Sequence, residues 1–215
     1  MNSCFSPSLI PYQLTSTSSS TGASQVIIRT AHPKDLNGLA EVLLQSFHSS
    51  QGLLCWTYPF LKLGIYEDLR SRLRSCSPHY LCLVATMPVN TITGKGEEIV
   101  GTVEIALRST SPWSTVGSQY PYISNLAVRN SYRRQGIARK LLLKCEQIGL
   151  EWGFQELSLH VLENNHQAQQ LYFTSGYRLH RIEPSLSSWL LKHPRRLLLN
   201  KQMLKPMVPA IAALE

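Results

Sequence analysis

The stretch Asn125-Leu-Ala-Val-Arg-Asn-Ser-Tyr-Arg-Arg-Gln-Gly-Ile-Ala-Arg139 decides the fold. An apolar strand ends at Val128, a basic turn follows, and Arg134-Gln-Gly-Ile-Ala138 leads directly into a helix. Helix starts leave backbone N–H groups unpaired and carry a partial positive charge. Gly136 and the small Ala138 let an anion come close to those amides. Arg129, Arg133, Arg134, Arg139, Lys140 and Lys144 add six cations before the next acid, Glu146. Amide hydrogen bonds to a charged phosphate are worth about 1.5–3 kcal/mol each, so several converging ones hold a pyrophosphate. The turn is neither a Walker A loop, since GxxxxGK[ST] is missing, nor a GxGxxG dinucleotide turn. A plain solvated basic helix start is the alternative.

Working outward, Tyr120 to Val128 reads as the strand before the turn, and Gln135 to Trp152 as a long helix. The helix stripe is Ala138, Leu141, Leu142, Cys145, Ile148, Gly149 and Trp152, with Gly153 placed to stop it. Glu156 to Val161 is the next strand. Leu157, Leu159 and Val161 face one way, Ser158 and His160 the other. A short helix over His166 to Ser175 ends at Gly176, and Tyr177 to Ile182 and Arg195 to Leu204 are two closing strands. Upstream, Gln25 to Thr30 is a strand. Leu36, Leu39, Ala40, Leu43, Leu44 and Phe47 then repeat at helical spacing. Residues 53–75 form a second helical region, broken near Pro59 and Gly64. Tyr80 to Thr86 and Ile99 to Leu107 form a hairpin across a turn-rich connection from Pro88 to Gly96. The order β-α-α-β-β-β-α-β-α-β-β predicts an α/β (α+β) domain. Its sheet is mixed and mostly antiparallel, with a parallel crossover over residues 120–161.

The rest of the 215 residues bounds the possibilities. Residues 1–25 hold eight Ser, three Thr and no charged residue, which predicts a disordered tail. The domain is expected over 26–205, with a C-terminal tail over 206–215. A secretory signal's basic start and long apolar block are missing. A plastid transit peptide is also hydroxyl-rich and acid-poor, but usually carries Arg. The expectation is therefore a cytoplasmic protein, with the plastid stroma as the alternative. No apolar run reaches the roughly 18 residues of a membrane span. Twenty-one Lys+Arg against thirteen Asp+Glu give +8, a balance that suits a polyanionic partner. Cys4, Cys55, Cys76, Cys82 and Cys145 form no CxxC pair or zinc spacing, so reduced thiols and no metal are expected. Cys145 reads as a buried small hydrophobe.

Leu126-Ala-Val128 with Arg133-Arg-Gln-Gly-Ile-Ala138 resembles the acyl-CoA signature (Q/R-x-x-G-x-G/A) of the GNAT superfamily of N-acetyltransferases. Glu163-Asn-Asn-His-Gln-Ala-Gln-Gln-Leu-Tyr-Phe-Thr-Ser-Gly-Tyr177 resembles that family's second segment. Both stand in order and at family spacing. Ala138 replaces the commoner Gly. Within the family the chain most resembles RimI-like N-terminal and lysine acetyltransferases, including plastid GNATs. The resemblance implies a GNAT fold with helices on both sheet faces. It implies acetyl-CoA as co-substrate and a protein or peptide amine as acceptor; the basic charge adds ribosome association as a further expected partner.

Residue by residue, the resemblance places the backbone of Leu126, Ala127 and Val128 along the pantetheine arm. The amides of Arg134, Gln135, Gly136, Ile137, Ala138 and Arg139 hold the pyrophosphate. Asn165, His166 and Gln167 lie along the cofactor. Tyr172 sits where the family's proton donor to the departing thiolate is found. His160 stands at a position where RimI-like enzymes carry Glu and other N-terminal acetyltransferases carry His, the latter with a Tyr at the position of Tyr122. Histidine's ordinary pKa near 6.5 suits a general base. For each of these the bland alternative is packing: a polar niche for His160, strand packing for Tyr122, a helix aromatic for Tyr172.

Two other functions stay open. One is a GNAT acting on a small amine; the acceptor groove would come from residues 53–66 and the loop around Trp189 to Pro194. The aromatics Trp56, Tyr58, Phe60, Tyr66 and Trp189, with Glu67 and Asp68 nearby, read as a peptide groove or as interior packing. The other is a basic RNA-binding module, for which no RGG run, aromatic RNP motif or zinc knuckle speaks.

Overall fold

The structure is a computed structural model, and it describes residues 26–47, 58–75, 77–91, 94–109, 119–183 and 194–203. The tail over 1–25, Trp56, Trp189 and most of the loop before Pro194 lie outside them. Within the described residues seven strands and four α-helices follow the expected order. They are β1 (Ile27–Thr30), α1 (Leu36–Phe47), α2 (Tyr58–Arg74), β2 (Tyr80–Thr91), β3 (Gly94–Ser109) and β4 (Gln119–Val128). Then come α3 (Ile137–Glu151), β5 (Glu156–Leu162), α4 (His166–Thr174), β6 (Arg178–Glu183) and β7 (Arg196–Gln202). One sheet runs β1-β2-β3-β4-β5-β7-β6. Among the described strands, β4 and β5 are the parallel pair.

Two apolar layers sandwich this sheet. On one face Ile105, Ile123, Leu157, Leu159 and Leu199 pack under Leu141, Leu142, Cys145 and Ile148 of α3. On the other, Cys82 and Val84 meet Leu39, Ala40 and Leu43 of α1 and Leu69 of α2. Cys145 is fully buried, as its place on the stripe predicts. Burial pushes the thiols of Cys82 and Cys145 upward, Cys82 to about 12, so neither is a thiolate near neutral pH.

Three local expectations are corrected. The second helix is continuous from Tyr58 to Arg74, with no break at Pro59 or Gly64. Pro59 falls in the first turn, where the missing N–H costs nothing. A side chain at Gly64 would find open space, and the Arg70–Glu67 and Arg72–Asp68 pairs together with buried Leu69 hold the helix beyond it. The supposed connection from Pro88 to Gly96 is mostly strand, pairing Pro88 with Glu97 and Thr91 with Gly94. β1 stops pairing at Thr86, so Pro88 lies where β2 has become an edge, which tolerates a residue without N–H. The long helix begins at Ile137 rather than Gln135, because Arg134 and Gly136 have φ of 65° and 77°. Those left-handed angles belong to a turn.

Candidate active site

The site begins with a break in the sheet. β4 and β5 pair only at Tyr122–Ser158 and Ile123–Leu159, and beyond that they part. Leu126, Ala127 and Val128 stay on the β3 side, where Ala127 pairs with Thr102 and Val128 with Gly101. Their other edge borders the gap. The parting coincides with a register shift between Thr102 and Glu104 and with Asn125 at φ 52°. A non-glycine residue in that region needs support. Asn125 Nδ2 donates to Glu104 Oε1 at 2.9 Å, and Arg72 Nη1 donates to Glu104 Oε2 at 2.9 Å. Glu104 is 1% exposed, so the bulge rests on a buried carboxylate tied to α2.

Below the gap, the turn after β4 closes onto α3. Gly136 is the N-cap residue and offers no capping side chain, so the first-turn amides of Ile137, Ala138 and Arg139 are open to an anion. A cavity of about 520 Å³ runs from Leu126, Ala127 and Val128, past Arg133, Arg134, Gly136, Ile137, Ala138 and Arg139, to Asn165 and to Gln167 and Tyr172 on α4. Asn165 caps α4, its Oδ1 accepting from the Ala168 amide at 3.1 Å.

Gln135 and His166 do not line this cavity. The Gln135 side chain is turned back to the Ser131 carbonyl, and His166 is the exposed first residue of α4. The six cations also divide. Arg129 is committed to β3, through the Ile99 carbonyl at 2.8 Å and Glu98 at 3.6 Å. Arg133 Nε donates to the Val128 carbonyl and so braces the turn.

Tyr172 reaches the cavity from α4 and is 8% exposed. Burial, with Tyr122 nearby, pushes its hydroxyl up to about 12. Tyr122 and His160 occupy the opposite sheet face, as strand alternation requires. Tyr122 Oη lies 2.9 Å from His160 Nδ1, and the Arg108 guanidinium stands 3.6 Å over the tyrosine ring. Burial lowers the His160 pKa below its ordinary value, assisted by Arg196 and Arg108 and opposed by Glu183. On this same face Arg72, Tyr80, Glu104, Arg108, Gln119 and Ser124 help line a second cavity of about 530 Å³.

The expected aromatic groove is only partly described. Tyr66 packs against the α1–α2 core, Phe60 is 70% exposed, and the Tyr58 side chain lies outside the described residues. Glu67 and Asp68 are held by Arg70 and Arg72. Sequence reasoning missed Glu104, Arg108 and Glu183. An acid inside the apolar run Ile99 to Leu107 was a usable signal for Glu104. The other two gave none, because their positions depend on sheet register.

The Acetyltransferase (GNAT) family matches residues 53–177. GCN5-related N-acetyltransferase 10, chloroplastic, from Arabidopsis thaliana is 28% identical over 173 residues, which is 78% of this chain and 68% of that one. GCN5-related N-acetyltransferase 7, chloroplastic, from the same plant is 27% identical over 143 residues, 55% of this chain and 52% of its own length. Bovine thialysine N-epsilon-acetyltransferase is 32% identical over 110 residues, 51% of this chain and 62% of that one. Among solved structures, PaiA N-acetyltransferase from Thermoplasma acidophilum in complex with coenzyme A superposes with a TM-score of 0.58 at 20% identity, over 83% of this chain and 99% of that one. Chaetomium thermophilum Naa20 gives 0.54 at 22%, over 82% and 86%. With the split sheet and the open helix start, these matches fix the assignment: the chain belongs to the acetyltransferase (GNAT) family of acetyl-CoA-dependent N-acetyltransferases.

Proposed function

We propose that this protein acetylates a peptide or protein amine, an N-terminal α-amine or a lysine ε-amine, by direct attack on acetyl-CoA. The observation that carries the reading is the Tyr122–His160 contact at 2.9 Å, set on the sheet face opposite Tyr172. The first-turn amides of α3 hold the pyrophosphate, and the free edge of Leu126 to Val128 pairs with the pantetheine arm. The second cavity gives the acceptor room on the base's side.

Attack needs an uncharged nitrogen. Deprotonation at pH 7 costs about 4–5 kcal/mol for lysine and about 1 kcal/mol for an α-amine. Tyr122 and His160, through a water, take the proton that the amine releases as it bonds to the acyl carbon. As the C–S bond breaks, Tyr172 donates its O–H to the sulfur. With the Tyr172 pKa at about 12 and a thiol near 8.5, complete proton passage is uphill by roughly 5 kcal/mol. Tyr172 therefore stabilises the departing thiolate chiefly as a hydrogen-bond donor.

A second reading, a small amino-acid-like acceptor, is favoured by the thialysine N-epsilon-acetyltransferase relatives. Labelled acetyl transfer to Met- or Ala-starting peptides, to N-blocked lysine peptides and to free thialysine separates the two. Transfer to thialysine alone would replace the peptide reading. We also place the protein in the plastid stroma rather than the cytoplasm, on the chloroplastic names of its relatives. The ribosome partner rests only on the +8 charge.

Two outcomes follow here. Because His160 titrates below its ordinary value, it is neutral and ready as a base at pH 7. The acid limb of kcat/KM is expected below about pH 6.5, and His160→Gln should remove that limb. Gly136→Val forces a β-branched residue to φ 77°, a strain of about 1–3 kcal/mol. Calorimetric affinity for CoA is expected to fall about tenfold or more, with the circular-dichroism spectrum unchanged.

A further inference from the structure

His160 has a second neighbour, at its other ring nitrogen. Its Nε2 is shielded from solvent and lies 3.1 Å from Glu183 Oε1, at the end of β6. Glu183 reaches it across β7, which separates β6 from β5. No other hydrogen-bond partner reaches Nε2 among the described residues. A buried N–H without an acceptor is unfavourable, and among the described residues Glu183 is the carboxylate at contact distance.

We propose that Glu183 is a positioning residue. Its carboxylate keeps the ring proton of His160 on Nε2, so that the Nδ1 lone pair faces Tyr122. The three residues then form a line, Tyr122 Oη–Nδ1 at 2.9 Å and Nε2–Glu183 at 3.1 Å. A neutral imidazole offers one donor and one acceptor, and a carboxylate on one nitrogen selects which is which. The proton taken during attack arrives at Nδ1, and the resulting imidazolium is balanced by the Glu183 charge. This rests on His160 being the base proposed above.

Other charged and titratable groups facing the ring are Arg108 from β3, Tyr122 from β4 and Arg196 from β7, with Tyr120 edge-on behind Tyr122. Arg181 from β6 touches Glu183 at 3.3 Å. Glu183 is the group among them that favours the imidazolium. Burial pushes its own pKa up, but His160, Arg181 and Arg196 outweigh this and hold it below the usual carboxylate range.

The test is nitrogen-15 NMR of the His160 ring in the full chain, alongside kinetics, for Glu183→Gln and Glu183→Ala. Glu183→Gln should move the His160 midpoint and the acid limb of kcat/KM to lower pH together. Glu183→Ala should also mix the two ring tautomers. It should lower kcat about tenfold, the low end of a general base's contribution, with KM for acetyl-CoA within twofold. Wild-type ring shifts and midpoint in Glu183→Ala would overturn the assignment. If the ring responds as expected but His160→Gln retains full activity, the base reading falls while the Glu183 pairing stands.

Discussion

Tyr172→Phe is expected to lower kcat about a hundredfold, with the affinity for CoA nearly unchanged. The substitution removes one oxygen from a residue that is 8% exposed, so the ring keeps its packing against Tyr177, 5.9 Å between centroids. What disappears is a hydrogen bond to a developing thiolate. Donors to charged groups are worth about 1.5–3 kcal/mol, which is roughly tenfold to 150-fold. Loss of a preorganised donor at a developing anion reaches about 10²–10³. Single-turnover measurement of acetyl transfer isolates the step. A loss under about tenfold would remove Tyr172 from the leaving-group role.

Arg72→Ala is expected to have the largest effect on stability, about 2–3 kcal/mol by denaturant titration. The Glu104 carboxylate is 1% exposed and, among the described residues, would keep the Asn125 amide and the neighbouring Tyr80 hydroxyl but no cation. Arg72 itself is 42% exposed, so its own release into water moderates the cost. Adding Glu104→Gln removes the stranded charge, and the double variant should recover most of the loss. Because the same carboxylate supports Asn125 at φ 52°, Arg72→Ala should also raise KM for acetyl-CoA more than it changes kcat. Additive losses in the double variant would show that the carboxylate and guanidinium act independently.

How much of this was legible beforehand can be judged from particular residues. The order of strands and helices followed from apolar spacing alone, and Gly136 with its basic neighbours marked the cradle, because both signals are local. The Tyr122–His160 meeting was suggested only by resemblance, since their contact depends on the parallel register Tyr122–Ser158. Glu183 was invisible, being two strands from His160 in the sheet. The six-cation tally overstated the phosphate site, because charge counts do not reveal that Arg129 serves the β3 carbonyl of Ile99. The break expected at Gly64 treated one glycine as a stop, whereas flanking ion pairs and buried Leu69 carried the helix through.

The two paired rows between β4 and β5 divide the sheet into a four-stranded wing and a three-stranded wing. Each wing carries one side of the slot, and α3 is the strut that joins them. The width of the slot is therefore an angle between wings rather than a property of any lining residue. A substitution in β6 or β7 that tilts the smaller wing reaches the thioester from a distance, without touching a single cofactor contact.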